Sequence, residues 1–256
     1  MESMLIVSCE DFLNSYKDKS QCVPNRFLPI AINDPLLEEY SYLIGKIMGD
    51  GNLDQAYTMR FVGQLHDLRL LQKLIICKFK LNENRFSIRK RKNKGVSYIL
   101  QVNYASFGRV LYLLGAPRGN KTKIAFKIPS WILTNNLYVK RFLQALLEDE
   151  LTTIKIEKCN YANRPRLKLS KKADMINNHL EFMIQVKQTI ESFGVQCSSI
   201  SRPIATNTPD KYDLYFHIMR NKHNIIKFKE KIGFRLNKVK IEKLDNCYSI
   251  LTKTQV

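Results

Sequence analysis

Hydrophobic and polar residues alternate along the chain with two periods, and the order of those periods occurs twice. Over 36–48 apolar residues fill most positions, which predicts a helix. Asn33-Asp34-Pro35 supplies its start, and Gly49 and Gly51 end it. Beyond Gly51 the period falls to two. Thr58, Arg60, Val62 and Gln64 share one face and Met59 and Phe61 the other, as in a half-buried strand. Helical spacing returns over 67–80 through Leu68, Leu71 and Ile75. Strands are expected over 85–91 and 96–104, around the turn Lys92-Asn93-Lys94-Gly95. A short helix over 106–114 stops at Gly115-Ala116-Pro117, and one more short strand fits within 52–57.

The same order follows a linker at 116–136, in which Ile128-Pro129-Ser130-Trp131-Ile132 is expected to pack on the core. A helix over 137–150 precedes strands at 152–158 and 164–170. A long helix at 174–193, strands at 196–202 and 212–219, a helix at 221–232 and a final helix at 238–250 complete it. Gln64-Leu65-His66-Asp67 and Ser170-Lys171-Lys172-Ala173-Asp174 each close a strand and enter a helix. The reading is an α+β chain of two tandem αββαββα units with antiparallel sheets, at 36–115 and 137–256, each about the size of one small domain. Residues 1–35 read as an N-terminal extension, with a short helix near Asp11-Phe12-Leu13 and breaks at Pro24, Pro29 and Pro35.

Composition narrows the function. The 256 residues are 45% hydrophobic, so the chain can bury a real core. Lys and Arg number 42 against 23 Asp and Glu, a net charge of +19 that favours a polyanionic partner, nucleic acid above all. No run of apolar residues is long enough to span a membrane, and the first nine residues carry no basic side chain, so neither a membrane protein nor a secreted one is expected. The six cysteines form no C-x-x-C pair and the four histidines show no zinc spacing. Free thiols point to a reducing compartment, either a prokaryotic cytoplasm or an organellar matrix or stroma.

Candidate chemistry sits at the ends of the two matching helices. Tyr42-Leu43-Ile44-Gly45-Lys46-Ile47-Met48-Gly49-Asp50-Gly51 closes the first, and Phe142-Leu143-Gln144-Ala145-Leu146-Leu147-Glu148-Asp149-Glu150-Leu151 the second. Gly45 aligns with Ala145 and Asp50 with Glu150, 100 residues apart. The first stretch resembles the signature of the LAGLIDADG homing endonucleases, and the second resembles the looser second signature of their single-chain members. The resemblance covers about 36–250.

What this resemblance implies is specific. The units carry curved four-stranded sheets that form a DNA-binding saddle and are joined by a two-helix interface. A monomer hydrolyses both strands of a long asymmetric DNA site, one acid per strand. Asp50 and Glu150 hold two or more Mg²⁺ ions between them, replaceable by Mn²⁺, with the carbonyls of Gly49 and Asp149 as further ligands. Carboxylates and carbonyls at helix C-termini suit such a hard cation. Gln64 falls beside the catalytic waters, with Ser170 as its counterpart and Lys171 next to it as a candidate catalytic cation. Arg60, Arg89, Arg91, Gln101, Arg166 and Lys168 join Ser170 on the faces expected to meet the major groove.

The sequence departs from that pattern in places. Three acids cluster at Glu148-Asp149-Glu150, Leu151 replaces the usual glycine, and Thr152 and Thr153 stand where the family often has a lysine, the nearest being Lys155. A shifted register makes Asp149 the ligand and puts Gln144 at the close helix contact. Plainer readings stand beside the functional ones: Asp50 as a simple helix end, Glu150 as a solvated acid, and Arg89-Lys90-Arg91-Lys92 as a solvated hairpin tip. Phe126, Trp131 and Phe193 read as core. The alternative function is a weakened or inactive relative that binds intron RNA as a splicing maturase or regulates DNA. A protein-splicing element is disfavoured by the initial Met1 and the final Lys253-Thr254-Gln255-Val256.

Overall fold

The computed structural model describes residues 4–16, 26–91, 96–157 and 161–253. They form a mixed α/β structure whose sheets are antiparallel throughout. Two compact units divide it. The first comprises Met1–Asn120 with Pro129–Phe142, and the second Lys121–Ile128 with Leu143–Val256.

In the first unit the order is β1 (Leu5–Val7), α1 (Cys9–Asn14), β2 (Ile30–Ala31), α2 (Leu37–Met48), β3 (Asn52–Leu53), β4 (Met59–Gly63), α3 (Leu65–Phe79), β5 (Phe86–Lys90), β6 (Tyr98–Val102) and α4 (Ala105–Leu113). The sheet runs β3-β4-β6-β5, with Arg60 opposite both Asn52 and Gln101, and Ser87 beyond them. Its inner face is apolar, with Met59, Phe61, Leu100 and Val102 buried. Helix α2 is enclosed as its sequence requires: Tyr40, Tyr42, Leu43, Ile44 and Ile47 are all buried. Asp34 opens it, accepting the Leu36 amide at 2.7 Å. The turn at 92–95 lies outside the described residues.

The N-terminal stretch belongs to this unit's core. Val7, Phe12 and Ile30 are buried, and α1 packs on α4. Arg26 donates to the carbonyls of Phe79 and Lys80 at the end of α3, where a cation meets the negative pole of the helix. The Arg109 guanidinium lies 3.8 and 4.0 Å from the ring centroids of Tyr16 and Tyr57 and donates to the Ser15 carbonyl. Trp131 is buried, and its indole N–H donates to the Leu114 carbonyl at 2.9 Å.

Helix α5 (Asn136–Glu150) leads to the second unit, whose elements are β7 (Arg166–Lys172), α6 (Ile176–Glu191), β8 (Ile204–Ala205), β9 (Lys211–His217), α7 (Lys222–Lys231) and α8 (Lys238–Lys253). Its sheet has three strands among the described residues, ordered β7-β9-β8, where the sequence predicts four. Side-chain hydroxyls explain the difference. Along 196–202, Ser198 and Ser201 donate their amides to the carbonyls of His217 and Tyr215, both at 2.8 Å. The return bonds, from the amides of His217 and Tyr215, go to the hydroxyls of Ser198 and Ser201 instead of to carbonyls. Of the strand expected at 152–158, whose last residue lies outside the described ones, the Thr152 amide donates to the Arg166 carbonyl at 2.9 Å, while the Arg166 amide returns to the Thr152 hydroxyl at 2.8 Å. Along 196–202 this leaves too few carbonyl bonds to extend a ladder, while residues 155–157 bond 161–163 in place of β7, Glu157 donating to the Tyr161 carbonyl at 2.7 Å and Asn163 to the Lys155 carbonyl at 2.9 Å.

Candidate functional site

The first half of the site is built at the end of α2. The Gly49 amide closes the helix on the Gly45 carbonyl at 2.9 Å, and the Gly51 amide returns to the Lys46 carbonyl at 2.8 Å. A Cβ on Gly51 would lie 2.5 Å from that Lys46 oxygen, so the tight turn requires glycine there. Asp50 is left exposed at the tip. The chain then enters β3, with Asn52 opposite Arg60 and Leu53 opposite Met59. Extending that register back brings Asp50 level with Val62, two residues before Gln64. Asp50 and the exposed Gln64 therefore leave the sheet at the same end.

The polar face beside them is organised by ion pairs. Arg60 bonds Asp54 at 2.9 Å and donates to Gln101 at 3.3 Å, and Gln101 donates on to Asn103 at 2.7 Å. Asp54 also accepts the amides of Ala56 and Thr58, so its carboxylate is a structural anchor for Arg60. Arg89 is exposed on β5, and the Arg91 amide holds the Ser97 carbonyl at 2.9 Å.

The second half starts from α5, which stays helical through Glu150. The three acids at its end separate by role. Glu148 is 2% exposed and accepts the amides of Arg235, Leu236 and Asn237 ahead of α8. The buried Lys240 ammonium donates to the carbonyls of Leu147, Glu148 and Leu151 at 3.2, 2.6 and 2.5 Å, holding a positive charge at this helix end. Gln144, one turn before Glu148, donates to the Ile232 carbonyl at 2.8 Å. Gln144 and Glu148 are thus engaged with the α7–α8 connection, whereas Asp149 and Glu150 are partly exposed.

Strand register relates the chain beyond Glu150 to the chain beyond Asp50. Leu151 pairs with Leu167, and the Thr152 amide bonds the Arg166 carbonyl. Thr152, two residues beyond Glu150, thus meets Arg166, four residues before Ser170. Asn52, two residues beyond Asp50, likewise meets Arg60, four residues before Gln64.

Lys171 faces the interior. It is 3% exposed, donates to the Ile124 carbonyl at 2.9 Å and the Asn178 side chain at 2.5 Å, and lies 3.9 Å from the Phe126 ring centroid. Burial pushes its pKa down to about 8. Beneath the same sheet His179 is wholly buried, and neither ring nitrogen has a hydrogen-bond partner among the described residues. Burial, and then the Lys171 charge, lower its pKa to about 4.

The outer face of β7 carries Arg166, Lys168 and Ser170. The Arg166 guanidinium sits 5.5 Å from the Tyr215 ring centroid. Lys168 donates to Asp213 at 2.8 Å, and the Ser170 hydroxyl donates to the other oxygen of the same carboxylate. Burial alone would raise the Asp213 pKa, but the bonds from Lys168 and Ser170 and the Lys168 charge hold it below the usual carboxylate value. A cavity of about 480 Å³ opens here, lined by Lys168, Ser170, Thr206, Thr208, Lys211 and Asp213 among others. Asp213, Glu148 and Lys240 are the members of this half that sequence reasoning missed.

Among the described residues no group of three or more His, Cys, Asp or Glu gathers as a metal cluster. Each helix end nevertheless presents carboxylate and main-chain oxygens, the donor type of a hard divalent cation. No helix among the described residues is long and apolar enough to cross a membrane.

Comparison with known proteins places the fold. No protein-family model matches the chain. The tRNA-splicing ligase RtcB of Pyrococcus abyssi is 31% identical over 183 residues, 66% of this chain and 19% of that protein. The DNA-directed RNA polymerase subunit Rpo1N of Methanocaldococcus jannaschii is 28% identical over 199 residues, 71% of this chain and 15% of that protein. The chain thus spans less than a fifth of either relative. Among solved structures, a mesophilic variant of the homing endonuclease I-DmoI superposes with a TM-score of 0.50 at 17% identity, covering 83% of this chain and 100% of that one. The fold implied by the sequence resemblance is the fold the chain has.

Proposed function

We propose that this chain, with its LAGLIDADG endonuclease fold, is a site-specific endonuclease for double-stranded DNA. The observation that carries the reading is the repeated register. Two residues beyond Asp50, Asn52 meets Arg60, four before Gln64, and two beyond Glu150, Thr152 meets Arg166, four before Ser170, each beside a sheet whose outer face is polar and basic. The two named relatives match this chain over less than a fifth of their own length, so neither activity is carried over.

In this reading Asp50 and Glu150, with the carbonyls of Gly49 and Asp149, would hold Mg²⁺ or Mn²⁺. The ion supplies Lewis acidity and a nucleophilic water at neutral pH. Gln64 and Ser170 orient water by hydrogen bonds. Arg60, Gln101, Arg89, Arg91 and Arg166 present donors to base edges and phosphates. The +19 charge gives affinity that falls steeply with salt. Lys171, bonded beneath the sheet, acts as a strut between 121–128 and α6. One chain carries both halves, so a monomer suffices.

The test is selection of cleaved duplexes from a randomised DNA library in Mg²⁺, with a chelator control. Recovery of one long asymmetric site, only with the metal present, is the expected result. Duplexes or intron RNA bound but never cut in either metal would replace the nuclease with the binding protein.

A further inference from the structure

Tyr57 stands in a backbone conformation that its side chain disfavours. Its φ is 61°, in the left-handed region, where a bulky residue persists only if its surroundings hold it. The holding contacts come from outside the turn. The Arg109 and Arg118 guanidiniums lie 4.0 and 4.6 Å from the Tyr57 ring centroid, and both donate to its hydroxyl. Tyr16 covers Arg109 in turn, 3.8 Å away. This stack leaves the buried Arg109 Nε–H without a partner among the described residues. The Tyr57 carbonyl presses on α4 so closely that a Cβ on Gly108 would come within 2.1 Å of its oxygen.

The turn that Tyr57 anchors acts on the opposite face. Tyr57, Met59 and Phe61 are buried beneath the sheet, so alternation puts Arg60 on its outer side. The Tyr57 amide bonds the Asp54 carbonyl at 3.0 Å. One oxygen of the Asp54 carboxylate accepts the amides of Ala56 and Thr58, which flank Tyr57, both at 2.9 Å. The other oxygen holds the Arg60 guanidinium at 2.9 Å, and Gln101 accepts from Arg60 at 3.3 Å. Those two bonds use two of the five donors of the guanidinium.

We infer that the N-terminal stretch, through Tyr16, Arg109 and Tyr57, positions Arg60 to read one guanine of the DNA site. Discrimination at that base pair then depends on residues beneath the sheet. This rests on the endonuclease reading for its duplex DNA. In the major groove guanine offers O6 and N7 as paired acceptors, which match two parallel donors of a guanidinium. An arginine already pinned by Asp54 and Gln101 loses less freedom on making that contact. Asp54 can pin it only while the turn at 54–58 keeps its shape, and the Tyr57 stack keeps that shape. Tyr16, Arg109 and Tyr57 are therefore positioning residues for specificity.

The experiment measures affinity and single-turnover cleavage of the full chain on the selected duplex and on duplexes carrying each single base-pair change. Arg60→Met should identify the pair, lowering the preference for guanine there about tenfold or more. Arg109→Lys, Tyr57→Phe and Asp54→Asn should each lower the preference at the same pair, about three- to tenfold. Preference at every other pair should stay at the wild-type level. Cleavage of the selected duplex at saturating Tyr57→Phe should also match wild type. Tyr16→Leu should lose part of the guanine preference and Tyr16→Phe, which keeps the ring, should retain it. Undiminished guanine preference in Arg109→Lys, Tyr57→Phe and Asp54→Asn would overturn the inference and leave the nuclease intact. So would an equal loss across all base pairs, or an Arg60→Met variant with no base-specific effect. A wild type that selects no duplex would overturn the endonuclease reading and this inference with it.

Discussion

The ends of α2 and α5 align residue for residue, yet they leave their helices in different ways. At α2 the chain turns away after Met48, because glycines at 49 and 51 allow the Gly51 amide to fold back on Lys46. At α5 the helix runs two residues further. Leu151 is buried where Gly51 makes its turn, and Lys240 neutralises the helix end from within the second unit. The lesson is that equivalence survives in the strand that follows and not in the turn itself. Two residues beyond each acid the chain pairs alike, Asn52 with Arg60 on β4 and Thr152 with Arg166 on β7, although one acid leaves a glycine turn and the other a continuing helix.

Substitutions can break this comparison. The largest effect is expected from Glu150→Gln, which should slow cleavage of one strand on the order of a thousandfold while the chain remains folded and bound to DNA. Strand-resolved cleavage assays decide it, and an unaffected rate would transfer the role to Asp149. Glu148→Ala should act on stability instead. It strands the amides of Arg235, Leu236 and Asn237 and should cost roughly 2–4 kcal/mol in urea unfolding. Gly51→Ala places a Cβ against the Lys46 carbonyl and should cost about 2 kcal/mol, with cleavage falling more than binding. Asp149→Asn should be the mildest, within about 0.5 kcal/mol in the same unfolding measurement and near wild type in cleavage.

Much of the fold is legible in the sequence because periodicity is strong where burial is one-sided or complete. The buried length of α2 and the alternation across β4 follow from it directly. Of two further expected strands, the one at 196–202 is no continuous ladder because Ser198 and Ser201 answer the neighbouring amides with hydroxyls, and the one begun at Thr152 leaves β7 because 155–157 bond 161–163 instead. No strand propensity encodes that choice. The N-terminal stretch reads as an extension since its buried anchors, Val7, Phe12 and Ile30, follow no single period.

The site is legible where small residues and an acid stand together, as at Gly49-Asp50-Gly51. It is opaque where the partner is distant in sequence. Glu148 meets Arg235 across 87 residues, and Ser170 meets Asp213 across 43. Lys171 shows what alternation alone teaches: next to Ser170 in a strand, it must face the opposite side. A polar residue beside a candidate site residue is not thereby part of the same surface.

The central claim is that Asp50 is required for cutting DNA and not for holding it. The direct measurement compares Asp50→Asn with the wild type on the selected duplex, following affinity and single-turnover cleavage together. The account predicts affinity close to wild type with cleavage abolished. Cleavage by the variant at the wild-type rate would contradict it.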